Sequence, residues 1–71
     1  SGLAVVDADH VPNAEQLVEE WLKREDFPQL GIVWIFITAS GEGVKIVFKA
    51  REEWGNLQDN AYQMAETLGV L

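Results

Sequence analysis

Two aspartates, Asp7 and Asp9, stand one residue apart at the end of a short apolar, β-branched run over residues 3–6. On an extended strand, residues two apart project from the same side, so the two carboxylates can share one or two divalent cations. Hard oxygen ligands suit Mg2+ or Mn2+. Acids at a strand end also serve as turn formers, and Asp-x-Asp alone admits that reading as well.

A second candidate is the segment Ser40-Gly41-Glu42-Gly43-Val44-Lys45. Two glycines let backbone amides approach a phosphate, the Ser40 hydroxyl adds a donor, and Lys45 supplies charge. The same residues also suit a plain hairpin turn followed by a solvated strand lysine. His10 adjoins the aspartates, where a lone histidine beside a turn reads as solvated. Trp21 and Trp34 read as core residues. Trp54, next to Gly55, reads as a loop residue covering the end of the core, although an indole there can also stack a base.

These residues need elements to hold them. The run ending at Asp7 reads as a strand beginning almost at the first residue. Asn13, after Pro12 and with Gln16 three residues on, can cap a helix whose apolar stripe is Ala14, Leu17, Val18, Trp21 and Leu22. Glu15 falls in its first turn, Lys23 and Arg24 in its last, and Pro28 limits it to about Asp26. Residues 32–38 are apolar on both alternating sets, the pattern of a central strand covered on both faces. Residues 44–49 alternate, with Val44, Ile46 and Phe48 on one side and Lys45, Val47 and Lys49 on the other, so these two strands form a hairpin. Leu57, Ala61, Met64, Ala65 and Leu68 trace a second helix, with Asn56 as its cap and Gly69 as a left-handed end. Val70 and Leu71 read as the start of a further strand.

Strand, helix, hairpin, helix is the order of an α+β, ferredoxin-like or RRM-like split βαβ sheet with both helices on one face. Residues 3–71 then form a single α+β domain truncated before its last strand, and Ser1-Gly2 reads as a remnant of expression. If Asp7 and Asp9 face away from the helices, the Lys45, Val47, Lys49 face lies with them and Val44, Ile46 and Phe48 pack beneath the helices. An apolar second face implies a cover, either a missing segment or a second copy pairing as a homodimer through the open sheet.

Composition narrows the classes. Seventy-one residues hold one modest core, and the absence of cysteine excludes disulfides and thiolate metal sites. The longest strongly apolar run, residues 32–37, is far below the roughly 20 residues a bilayer demands, so the reading is a soluble, cytoplasmic protein without membrane partners. A net charge of −7 repels phosphate backbones at long range. The bases are nonetheless concentrated, with Lys45, Lys49 and Arg51 close together in sequence.

Leu-Ala-Val-Val-Asp-Ala-Asp-His, then a helix, then Phe-Ile-Thr-Ala-Ser-Gly-Glu-Gly-Val-Lys-Ile-Val-Phe resembles the VirE N-terminal-like domain of bacterial mobile-element proteins. That family, common in Bacteroidetes, is similar in turn to archaeo-eukaryotic primases, in which Asp-x-Asp binds catalytic metals and a later Ser-Gly-x-Gly-x-His segment contacts the nucleotide. The resemblance implies that Asp7 and Asp9 are catalytic metal ligands for Mg2+ or Mn2+, and that Ser40, Gly41, Gly43 and Lys45 handle the nucleotide phosphates. It implies a nucleoside triphosphate and nucleic acid as partners, and a role in DNA replication of a mobile element. Lys45 stands where most primases have histidine, and lysine holds a phosphate but does not shuttle protons at neutral pH. The third motif of these families, a further acid or a Ser-Arg pair, lies beyond the second helix and hence beyond Leu71. The alternative from the residues alone is a non-catalytic ferredoxin-like interaction module that dimerises through its sheet.

Overall fold

The computed structural model describes residues 2–70. Its elements run β1 (Leu3–Ala8), α1 (Ala14–Leu22), α2 (Phe27–Leu30), β2 (Ile32–Ile37), β3 (Val44–Lys49), a 3-10 turn (Glu52–Trp54) and α3 (Leu57–Leu68). The three strands form one antiparallel sheet in the order β1-β3-β2, with α1 and α3 on one face. The domain is α+β with the split βαβ arrangement expected of a ferredoxin-like fold. Ser1 and Leu71, where an expression remnant and a further strand are expected, lie outside the described residues, and Val70 is not in a strand.

The middle strand is β3, because its alternation is the one that matches a sheet with one covered face. Val44, Ile46 and Phe48 have no exposure, and Ala4 and Val6 of β1 lie beside them. Met64, Ala65 and Leu68 of α3 and Ala14 and Trp21 of α1 close the core from above. Trp54 packs partly buried at the core's end, with the Arg51 guanidinium 4.7 Å from its ring centroid.

The expectation that β2 is central is corrected. Among the described residues β2 pairs only with β3 and forms a sheet edge. Its two-sided apolar pattern has another cause, a bulge. Ile32 pairs with Phe48 and Trp34 with Val47, so Val33 is the extra residue and alternation shifts by one there. Ile32, Ile35 and Ile37 therefore pack toward the helices, whereas Trp34 and Phe36 turn to the open face. Trp34 is 63% exposed, so it is not the core residue its type suggested.

The first helix also departs from expectation. Asn13 takes a left-handed conformation (φ 59°) and its side chain makes no capping bond, and α1 stops at Leu22. Arg24 then pairs with Asp26 in a turn, and Pro28 falls in the first turn of the separate α2, where its missing N–H costs nothing. Leu22 and Leu57 are exposed, so each stripe is narrower than the periodicity implied. α3 begins as expected: the Asn56 side chain accepts from the Asp59 amide and the Asp59 carboxylate accepts from the Asn56 amide. Gly69 ends it in the left-handed region.

Candidate functional site

Antiparallel pairing of β1 with β3 sets Asp7 directly across from Lys45. Both lie on the face away from the helices, since Val6 and Ile46, their neighbours in the ladder, are buried. Phe36 is the partner of Lys45 on the other side, which makes one row across the sheet of Asp7, Lys45 and Phe36. The Lys45 ammonium lies 5.7 Å from the Phe36 ring centroid, a cation–π contact. It is not in salt-bridge contact with Asp7; among the described residues the one such pair is Arg24 with Asp26, at 2.8 Å.

Asp9 lies one residue past the end of β1, so the strand alternation that would align it with Asp7 stops at Ala8. Beyond it the chain passes through two left-handed residues, His10 (φ 57°) and Asn13 (φ 59°), of residue types that tolerate this region better than most. Val11 anchors the loop. Its side chain is buried and its amide donates to the Glu42 carbonyl at 2.6 Å, tying the loop after β1 to the turn between β2 and β3.

That turn is closed by its own hydrogen bonds. The Gly41 amide donates to the Thr38 carbonyl, the Glu42 amide to Ser40 Oγ, and the Gly43 amide to Thr38 Oγ1. The amides of Gly41, Glu42 and Gly43 are thus spent inside the turn, and the Thr38 and Ser40 hydroxyls stand at the pocket lining. Thr38 Oγ1 and Ser40 Oγ are 3.1 Å apart, so one hydroxyl hydrogen is used between them and the other is free to point outward. Gly43 is required on steric grounds, because a Cβ there would meet Thr38 Cγ2 at 2.8 Å. Gly41 sits at the tip with φ 78° and open space around it.

The two loops enclose a shallow pocket of about 130 Å3 lined by Asp9, His10, Thr38, Ser40, Glu42 and Gly43. The structure therefore brings Asp9, Ser40 and Gly43 together in the pocket and sets Asp7 with Lys45 on the adjoining strands; Asp7, Gly41 and Lys45 do not line it. Two residues that sequence reasoning did not select contribute to the pocket. Thr38 supplies the second hydroxyl, and its signal was a hydroxyl two residues before Ser40. Glu42 adds a second carboxylate beside Asp9.

The lining fixes what can bind there. With two carboxylates and no lysine or arginine, the pocket favours a cation over a bare phosphate. Among the described residues no three acidic or histidine side chains converge as a complete metal site. Mg2+ does not demand one, since it commonly takes one or two carboxylates and completes its shell with water and substrate phosphates. The carboxylates that share the pocket are Asp9 and Glu42, and Asp7 lies outside its lining.

A family description, BT4734-like, N-terminal domain, matches residues 1–69. The chain belongs to the BT4734-like N-terminal domain family. The match names that family and says nothing of VirE or of primases. No curated protein and no solved structure matches the chain. For this BT4734-like domain, the site must therefore be argued from its own residues. No helix of the described residues is long and apolar enough to cross a membrane.

Proposed function

We propose that this domain is part of a primase-like nucleotidyltransferase, binding Mg2+ or Mn2+ and a nucleoside triphosphate in a cytoplasmic replication protein of a bacterial mobile element. The observation that carries the reading is the meeting of both motifs at one end of the sheet: Asp7 stands across from Lys45, and Asp9 shares a pocket with Ser40 and Gly43. The VirE-like and primase-like sequence pattern assigns the same residues to the same tasks.

The residues then divide the work. Asp7 and Asp9 would hold the cation, and a bound Mg2+ or Mn2+ would supply neutralisation of triphosphate charge and a lowered pKa for an attacking hydroxyl. Lys45, directly across the ladder from Asp7, balances remaining phosphate charge as a fixed cation. The Thr38–Ser40 hydroxyl pair donates its outward hydrogen to a phosphate oxygen. Gly43 keeps the turn tight enough for the pocket to exist. On this reading the 71 residues bind metal and nucleotide, and they are expected to bind without turning over.

Titration with Mg2+ or Mn2+, with and without nucleoside triphosphate, followed by NMR on wild type and on Asp7→Asn with Asp9→Asn, tests this. Saturable shifts around Asp7, Asp9, Ser40 and Lys45 that vanish in the double variant are expected. Their absence at millimolar metal sinks the reading. The second reading, a non-catalytic module that dimerises through its sheet, draws on the exposed Leu3, Val5, Trp34 and Phe36. It expects sedimentation as a dimer and indifference to substitution of the aspartates.

A further inference from the structure

The open sheet face carries more than the metal reading uses. Trp34 and Phe36 stand next to each other on β2 with ring centroids 5.8 Å apart and planes at 63°, an edge-to-face pair. Their exposures of 63% and 41% are high for aromatic side chains on a sheet, and the Val33 bulge is what turns them outward. Beside them on the middle strand run Lys45, Val47 and Lys49, on the same face.

We propose that this face binds single-stranded nucleic acid, bases stacking on Trp34 and Phe36 while Lys45 and Lys49 hold the phosphates. A flat sheet with exposed aromatic rings accepts any base, because every base has a π-face, and lysines at strand spacing follow the backbone. Charge distribution supports this occupant. The chain as a whole carries −7, yet the sheet's outer face has two lysines against the single Asp7. The acids Glu15, Glu19 and Glu20 lie on α1, behind the sheet. A second copy is the less suitable cover. Two-fold pairing centred on the middle strand would bring Lys45 and Lys49 of both copies into one interface with one Asp7 per chain to offset them.

The inference goes beyond the metal and nucleotide site and does not need it. The test is titration of the whole chain at low salt with oligothymidylate and oligouridylate of about 12 nucleotides, long enough to cross the whole face. Binding is read by tryptophan quenching and by amide shifts. Saturable binding is expected, with shifts at Trp34, Phe36, Lys45 and Lys49. Trp34→Ala should weaken it about tenfold or more while Trp34→Phe keeps most of it. Lys49→Gln should flatten the salt dependence by about 0.7 in log–log slope. Preference between the two oligomers identifies DNA or RNA as the natural strand, and equal binding supports the shared stacking chemistry. Asp7→Asn should raise oligonucleotide affinity, because it removes the carboxylate facing Lys45 while disabling the metal site, which separates this result from failure of that site. Three outcomes overturn the proposal: no saturable binding at low salt, affinity indifferent to Trp34→Ala, or a wild-type dimer that Trp34→Ala converts to monomer, which would assign the face to a second copy.

Discussion

The indole N–H of Trp21 on α1 donates 3.1 Å to the carbonyl oxygen of Leu68 in the last turn of α3. Two helices that share one face of the sheet are thereby joined by a buried bond, and the carbonyl it satisfies is one that helix geometry leaves without an internal partner. Arg24 reinforces the contact by donating to the neighbouring Thr67 carbonyl at 3.2 Å.

Trp21→Phe keeps an aromatic ring in the core but removes that donor. A loss of about 1–3 kcal/mol is expected, from the bond and from the smaller ring together. For a domain of this size each kcal/mol corresponds to roughly 4–8 °C in Tm, so thermal unfolding followed by circular dichroism resolves it. An unchanged Tm would show that the helices are held by packing alone.

Asn60 is fully buried and holds the segment between β3 and α3. Its Oδ1 accepts from the Arg51 amide at 2.7 Å, and its two Nδ2 hydrogens are shared among the carbonyls of Arg51, Gly55 and Asn56 at 3.0, 3.2 and 3.0 Å. Asn60→Leu has a similar volume, yet it leaves backbone groups without partners and is expected to cost about 2–4 kcal/mol. Chemical denaturation measures it. Stability equal to wild type would mean that water enters and replaces the amide.

The two glycines of the β2–β3 turn should respond differently to alanine. Gly41→Ala meets no neighbour and bears only the left-handed backbone penalty, about 1 kcal/mol. Gly43→Ala pushes a methyl into Thr38 and should cost more, shifting the amide resonances of Thr38 and Ser40. Thr38→Ala should relieve part of that cost, so a double-mutant cycle on positions 38 and 43 is expected to show coupling above about 0.5 kcal/mol. Additivity would mean that the turn relaxes without Thr38.

Hydrogen bonding to Arg24 holds the Asp26 carboxylate below its ordinary value of 3.8. A carboxyl whose folded pKa is depressed contributes stability at pH above its unfolded value and loses that contribution as pH falls through the folded one. The pair is solvent-accessible, so the effect is small and screened by salt. Carbon-detected titration should place the Asp26 midpoint below 3.8, and Arg24→Gln should return it upward. A midpoint unmoved by Arg24→Gln would show that the pair does not persist in solution.

How much of this was legible in the residues depends on whether a local pattern decides the outcome. Residues 44–49 matched β3 from end to end because alternation on a one-sided sheet has a single solution. The Asn56 cap and the Gly69 end of α3 were readable for the same reason, since both are satisfied within one turn. The position of β2 was not readable: a bulge at Val33 and a covered central strand produce the same apolar run, and only pairing with β3 separates them. Asn60 was invisible for a related reason, because its four partners are backbone atoms of a loop whose path no side-chain pattern encodes. Of the residues the sequence singled out, Asp7, Asp9, Ser40, Gly41, Gly43 and Lys45, the pocket is lined by Asp9, Ser40 and Gly43; Thr38, which no pattern marked, lines it because the turn closes on its hydroxyl.

The pairing of Leu3 with Lys49 has a consequence for how the chain is made. β1 is synthesised first, yet its only partner among the described residues is β3, and everything from α1 through β2 must leave the ribosome in between. The hairpin of β2 and β3 closes over a short turn and can form as soon as both strands are out. During translation the apolar residues of the first strand therefore lack their ladder partner until β3 has emerged. The domain's first strand becomes the last to find its place in the sheet.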